Sequence, residues 1–208
     1  MTESPEAVQS IVDDLHAEAE RDRPAADTPE VGIVMGSDSD LDTMYGAYEA
    51  LTELGFAEVT DREDPLEARY TFETYVVSAH RTPDLMYAYA ETAEARGIDV
   101  IIAGAGGKSA DLPNMTASIA YPLPVVGVPV QEKSVNSVLG MPTGAPIVAV
   151  DAGKSFNAAL SAVQMLAREH DQLRQRLVDY HGSLQAGVGE VSRDLHGTGT
   201  AAFRAERE

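Results

Sequence analysis

The sequence reads as an α/β protein, a three-layer αβα sandwich built on a parallel sheet. Three features lead to this fold. Five short runs rich in apolar and β-branched residues recur along the chain: VGIVM (31–35), ETYVVS (73–78), DVIIAGA (99–105), PVVGVPV (124–130) and PIVAVD (146–151). Segments with helical spacing of apolar residues lie between them. The runs do not alternate apolar with polar, the mark of strands covered on both faces. Helices on both sides of the sheet and right-handed crossovers follow.

Each element has its own warrant. PEAVQSIVDDLHAEAERD places Val8, Ile11, Val12 and Leu15 at helical spacing, so a helix precedes the sheet. RPAADTPE (23–30) has linker composition. After VGIVM, the stretch DLDTMYGAYEALTELG predicts a helix, and TDREDPLEAR (60–69) a charged loop. TPDLMYAYAETAEARG predicts a helix with Thr82 as N-cap, Pro83 in the first turn and Gly97 as the stop. DLPNMTASIAY predicts a short helix. The long segment from Ser155 to Gln185 predicts helix with a break near Asp171. Three regions result: an N-terminal helical extension and linker (1–30), a catalytic domain (31–185) and a flexible acidic tail (186–208).

Composition narrows the partners. The net charge is −19, from 34 acidic and 15 basic residues, and lysine occurs only at Lys108, Lys133 and Lys154. Such a chain repels nucleic acid and anionic membranes. The acid is scattered through ordinary helices rather than gathered in blocks, which suits solvation in a high-salt cytoplasm. No apolar run reaches the ~18 residues of a membrane span, and the first residues carry no secretory apolar core, so the expected location is cytoplasmic. Without cysteine, there is no disulfide frame and no thiolate chemistry.

Ligands of open parallel sheets sit beyond the carboxyl ends of the strands, so the residues that follow each strand are the candidates for chemistry. The first strand leads into MGSDSDLD, where Ser37, Ser39 and Asp40 open a helix. Serine hydroxyls beside unpaired helix N–H groups suit a phosphate, and Asp40 suits sugar hydroxyls; Ser39 or Asp40 also fits a plain N-cap. The second strand ends in SAHRTPD. His80 exchanges protons near neutral pH and Arg81 offers a planar fork to phosphate or carboxylate. A lone histidine can equally be structural, but His80, unlike His16, His170, His181 and His196, stands at a strand end. The third strand leads into AGAGGKSADLPNM, whose glycines permit close approach of a flat ligand. GGKS is not a P-loop, because Ile102 stands where the motif needs glycine, and Val148 does the same for the second GKS. MPTG (141–144), after the fourth strand, fits either a connector or a flap over the ligand. Together these ends suit a phosphorylated sugar carrying a flat heterocycle, with His80 as proton carrier.

VGIVMGSDSD, VVSAHRTPD, VIIAGAGG, LPNM and GVPVQ, in that order between Val31 and Gln185, resemble the N5-carboxyaminoimidazole ribonucleotide mutase family of purine biosynthesis and the related aminoimidazole ribonucleotide carboxylases. The resemblance implies a flavodoxin-like domain, a homo-octamer with the C-terminal helix on a neighbouring subunit, and neither metal nor organic cofactor. It implies a phosphorylated aminoimidazole riboside as substrate and transfer of a carboxylate from the exocyclic nitrogen to a ring carbon. By the same resemblance, Ser37, Ser39 and Asp40 contact phosphate and ribose. Ser78, Ala79, His80 and Arg81 form the catalytic loop, with His80 the general acid/base and Arg81 on the phosphate. Gly104, Ala105, Gly106 and Gly107 lie against the heterocycle, and Asp111 and Leu112 complete the substrate contacts. Low lysine and high acid content look haloarchaeal. A direct carboxylase using carbon dioxide, and a non-catalytic flavodoxin-like binding module, are the competing functions.

The family pattern is broken in places. Asp111 precedes LPNM where the mutases usually carry histidine, and it either replaces that histidine or caps the next helix. The stretch between GVPVQ and MPTG is short, and Thr143 stands where many bacterial mutases have arginine. The first 28 residues and the loop 61–69 have no counterpart in the pattern.

Overall fold

The computed structural model describes residues 4–21, 24, 28–60 and 68–207. Most of the charged loop expected at 60–69, and most of the linker expected at 23–30, lie outside them. The chain divides into two units, residues 1–166 and 167–208.

In the first unit the elements run α1 (Glu6–Ala19), β1 (Val31–Met35), α2 (Leu41–Glu53), β2 (Ala57–Glu58), β3 (Thr71–Val76), α3 (Pro83–Thr92), β4 (Val100–Ala105), α4 (Leu112–Ile119), β5 (Val125–Pro129), α5 (Val135–Leu139), β6 (Val148–Ala149) and α6 (Ser155–Leu166). The six strands form one parallel sheet in the order β2-β3-β1-β4-β5-β6. Leaving aside the two-residue edge strand β2, this is the flavodoxin-like order. The chain runs outward from β1 to β3, then crosses back to β4 on the other side of β1. The reversal opens a crevice at the carboxyl ends of β1 and β4.

Register lines up those ends. Met35 lies opposite both Val76 and Gly104, and Ala105 opposite Pro129. The loops after β1, β3, β4 and β5 therefore leave the sheet at one rim. Helices α2 and α6 pack together on one side, and α1, α3 and α4 pack in sequence on the other. Met44, Ala47 and Leu51, spaced three and four apart, bury the inner face of α2. Met44 lies so close to β4 that a Cβ on Gly104 would sit 2.1 Å from its sulfur. Glycine at 104 thus serves helix-on-sheet packing. Leu15 buries α1, with Val8, Ile11 and Val12 packed beside it.

The structure departs from expectation at several elements. β3 begins and ends two residues earlier than ETYVVS, because Phe72 is fully buried and pairs with Val31. Glu73 is carried inside, where Arg96 Nη1 meets its Oε1 at 2.6 Å. β2 was not anticipated, being too short for any periodic signal. β6 holds only two of its six expected residues. VNSVL, for which no element was expected, forms the short helix α5. α3 itself stops at Thr92, earlier than expected, and Gly97, the expected stop, closes the turns that follow with a φ of +89°.

In the second unit, the break expected near Asp171 precedes α7 (Asp171–Thr198), and α8 (Thr200–Ala205) follows Gly199. Residues after Gln185, expected to be loose, continue as helix. Leu184, Val188, Val191 and Leu195 hold helical spacing through that stretch. Among the described residues no helix is long and apolar enough to cross a membrane.

Candidate active site

The loop after β1 starts at Gly36, whose N–H donates to the Gly104 carbonyl at 3.1 Å across the crevice. Ser37 caps a single 3-10 turn, Asp38–Asp40, and its hydroxyl accepts from the Ser39 N–H at 3.4 Å. Asp40 holds the N-cap position of α2, one of the two expected, without a side-chain cap bond; the side-chain cap belongs to Ser37, on the extra turn that precedes α2. Asp40 points into the crevice and is only 7% exposed. Burial pushes its carboxyl above the usual aspartate range, while backbone N–H groups of Gly106 and Ser37 and the charge of Arg81 pull the other way. A Cβ on Gly106 would stand 2.9 Å from Asp40 Oδ1, so the glycine leaves room for this carboxylate.

The loop after β3 is wound on Ser78. The Val77 N–H continues the ladder to the Met35 carbonyl at 2.9 Å. The Ser78 N–H donates to Thr82 Oγ1 at 2.9 Å, and the Ser78 hydroxyl accepts from the Arg81 N–H at 3.2 Å. Thr82 holds the N-cap position of α3, but its side chain bonds back to Ser78 rather than to a helix N–H. Residues 78–82 are thereby closed into a compact turn that lifts Ala79, His80 and Arg81 from the sheet. Arg81 Nη2 reaches across to the Gly36 carbonyl at 3.0 Å.

The loop after β4 brings the third set. Gly107 has a φ of +87°, and its carbonyl accepts from Ser134 Oγ at 2.8 Å. Asp111 occupies the N-cap position of α4, yet its carboxylate makes no cap bond. Instead Oδ2 lies 3.0 Å from His80 Nε2, and Oδ1 accepts from Ser137 Oγ at 3.3 Å. The helix-cap alternative is therefore set aside: the carboxylate is turned toward the histidine. The His80 and Asp111 side chains are 62% and 41% exposed, and a pair this open contributes about 0–1 kcal/mol to folding.

These loops enclose a pocket of about 450 Å³, within the range of small-molecule sites. Its lining includes one histidine, His80, two carboxylates, Asp40 and Asp111, and two fixed cations, Arg81 and Lys133. In a chain of net charge −19, a rim where two cations balance two carboxylates is a local exception, and Arg81 and Lys133 offer an anionic ligand its partners.

The profile of the family described as AIR carboxylase matches residues 30–186. The chain belongs to this family. An N5-carboxyaminoimidazole ribonucleotide mutase of Thermotoga maritima is 39% identical over 86% of this chain and 99% of its own length. One of Mycobacterium tuberculosis is 46% identical over 83% and 93%. The crystal structure of Treponema denticola PurE superposes with a TM-score of 0.64 at 20% identity, covering 81% of this chain and 98% of that one, a likeness of fold.

Against this AIR carboxylase family frame, the pocket gathers Ser37, Ser39, Asp40, Ser78, Ala79, His80, Arg81, Ala105, Gly106, Gly107, Asp111 and Leu112. Gly104 is not in the lining; it faces Met44. MPTG forms a turn closed by the Ala145 N–H on the Pro142 carbonyl at 3.1 Å and takes no part in the lining. Sequence reasoning missed Gly36, Ser109, Gln131 and Lys133, which also line the pocket. Lys133 carried a usable signal, as one of three lysines and two residues beyond GVPVQ.

Proposed function

We propose that this chain is an N5-carboxyaminoimidazole ribonucleotide mutase of de novo purine biosynthesis. The observation that carries the reading is the position of His80, the one histidine of the pocket lining, beside Asp111 and the glycine loop after β4. The names borne by relatives 39–46% identical over most of the chain favour a mutase over a direct carboxylase.

Ser37, Ser39 and Arg81 hold the phosphate, and Asp40 takes the ribose hydroxyls. The heterocycle lies along Ala105, Gly106 and Gly107, with Leu112 beneath. The His80 imidazolium gives its proton to the exocyclic nitrogen. The bond from that nitrogen to the carboxylate carbon breaks, its electron pair stays on nitrogen, and carbon dioxide is freed. The electron-rich ring carbon then attacks carbon dioxide, forming the new carbon–carbon bond. The tetrahedral ring carbon loses its proton to neutral His80, which restores both the aromatic ring and the imidazolium. Holding carbon dioxide beside the ring makes the second step effectively unimolecular.

Following imidazole absorbance with purified protein tests this. Conversion of the N-carboxylated substrate without added bicarbonate is expected. Conversion only of the uncarboxylated ribonucleotide with bicarbonate would assign the carboxylase.

The catalytic domain is 31–185, with 1–30 an extension, and it works as a cytoplasmic homo-octamer in a salt-rich cell. The salt assignment rests on charge alone, since the named relatives do not point to a haloarchaeal source. Packing chains of net charge −19 together leaves repulsion that only salt screens, so the oligomer should dissociate at millimolar salt. Unchanged sedimentation between molar and millimolar salt would contradict this.

A further inference from the structure

We propose that Asp111 is the positioning residue of His80: its carboxylate accepts the Nε2–H, fixes the neutral ring in that tautomer, and leaves Nδ1 as the atom that exchanges a proton with substrate. The inference rests on the functional reading above and extends it to a residue at which this chain departs from the mutase sequence pattern.

The geometry supports it from both sides of the carboxylate. Oδ2 lies 3.0 Å from His80 Nε2. Oδ1 accepts from Ser137 Oγ at 3.3 Å, and Ser137 is itself held by its carbonyl, which accepts from Asn114 Nδ2 at 2.7 Å. Oδ1 is thus tied to an element other than the histidine loop, which leaves Oδ2 facing His80. An aspartate at an N-cap ordinarily accepts a helix N–H; Asp111 forgoes that bond. The pair is too exposed to be accounted for by stability. An ionised carboxylate can only accept, so Nε2 must carry the hydrogen. The tautomer of a histidine is set by the bond its other nitrogen makes. A fixed tautomer lets the same ring nitrogen give the proton and later take one back.

The test pairs spectroscopy with kinetics. Full-length protein labelled with ¹⁵N at its histidine rings is recorded at a pH where the rings are neutral, with His80 assigned by its loss in His80→Asn. Nε2 is expected to be protonated and Nδ1 bare. In the isosteric Asp111→Asn the two tautomers should mix. Its kcat should fall about 10- to 100-fold, the scale seen when a histidine loses the group that orients it, with KM unchanged. Asp111→Glu should recover part of kcat, and Ser137→Ala should fall between. Ring shifts unaltered in Asp111→Asn, or altered shifts without loss of kcat, would overturn the proposal. A raised KM at constant kcat would also overturn it and make Asp111 a substrate contact. Absence of turnover in the unmodified protein would instead sink the functional reading, and the nitrogen shifts would still decide whether Asp111 fixes the ring.

Discussion

Arg81 Nη2 donates to the Gly36 carbonyl at 3.0 Å, fastening the loop after β3 to the loop after β1 across the crevice. The guanidinium is therefore held in place before any ligand arrives, with the charge of Asp40 beside it. A lysine would keep the charge and lose the fork. Arg81→Lys should raise KM about 10- to 100-fold, the equivalent of one charge-assisted hydrogen bond, and change kcat less. Steady-state kinetics decide this, and an unchanged KM would remove Arg81 from the phosphate site.

The burial of Asp40 costs stability. Its folded carboxyl titrates above the usual 3.8 because burial disfavours the charged form. The folded state therefore binds more protons than the unfolded one just above that value, and stability falls as pH rises through the raised value. Asp40→Asn should be more stable than the parent at pH 7, with the gap closing below about pH 3.8, where both states of the parent are protonated. Thermal unfolding at both pH values checks this. A gap that widens toward acid would contradict the sign. Activity should drop in the same variant under the ribose role proposed for Asp40.

The buried ion pair between Arg96 and Glu73, 2.6 Å apart with both side chains 1% exposed, joins the turn after α3 to β3. Arg96→Met should destabilise by about 3–5 kcal/mol, because it strands a buried carboxylate. Adding Glu73→Leu should restore much of the loss. Urea denaturation of the single and double variants reads the coupling, and additive losses would contradict it.

The strands of this sheet were legible because β1 and β4 are apolar throughout, as strands covered on both faces must be. The rim of the crevice was legible for the same reason: once the strands are placed, their carboxyl ends follow. The early start of β3 was not, since Thr71 is polar and only the pairing of Phe72 with Val31 carries the strand back to it. Gly104 was misplaced because a glycine in a loop motif and a glycine under Met44 look alike in sequence. The direction of the Asp111 carboxylate depends on Ser137, 26 residues further on, and no local pattern could have reported it.

The carboxylate's own path is the most direct test of how this pocket works. N5-carboxyaminoimidazole ribonucleotide labelled with ¹³C at the carboxylate, followed by NMR in unlabelled bicarbonate, should deliver the label to the ring carbon. His80→Asn should still bind the substrate, with turnover lowered about 10²- to 10⁴-fold, the range for general acid–base catalysis. Label lost to the bicarbonate pool before the product forms, or full transfer in His80→Asn, would contradict a carboxylate moved within the pocket by His80.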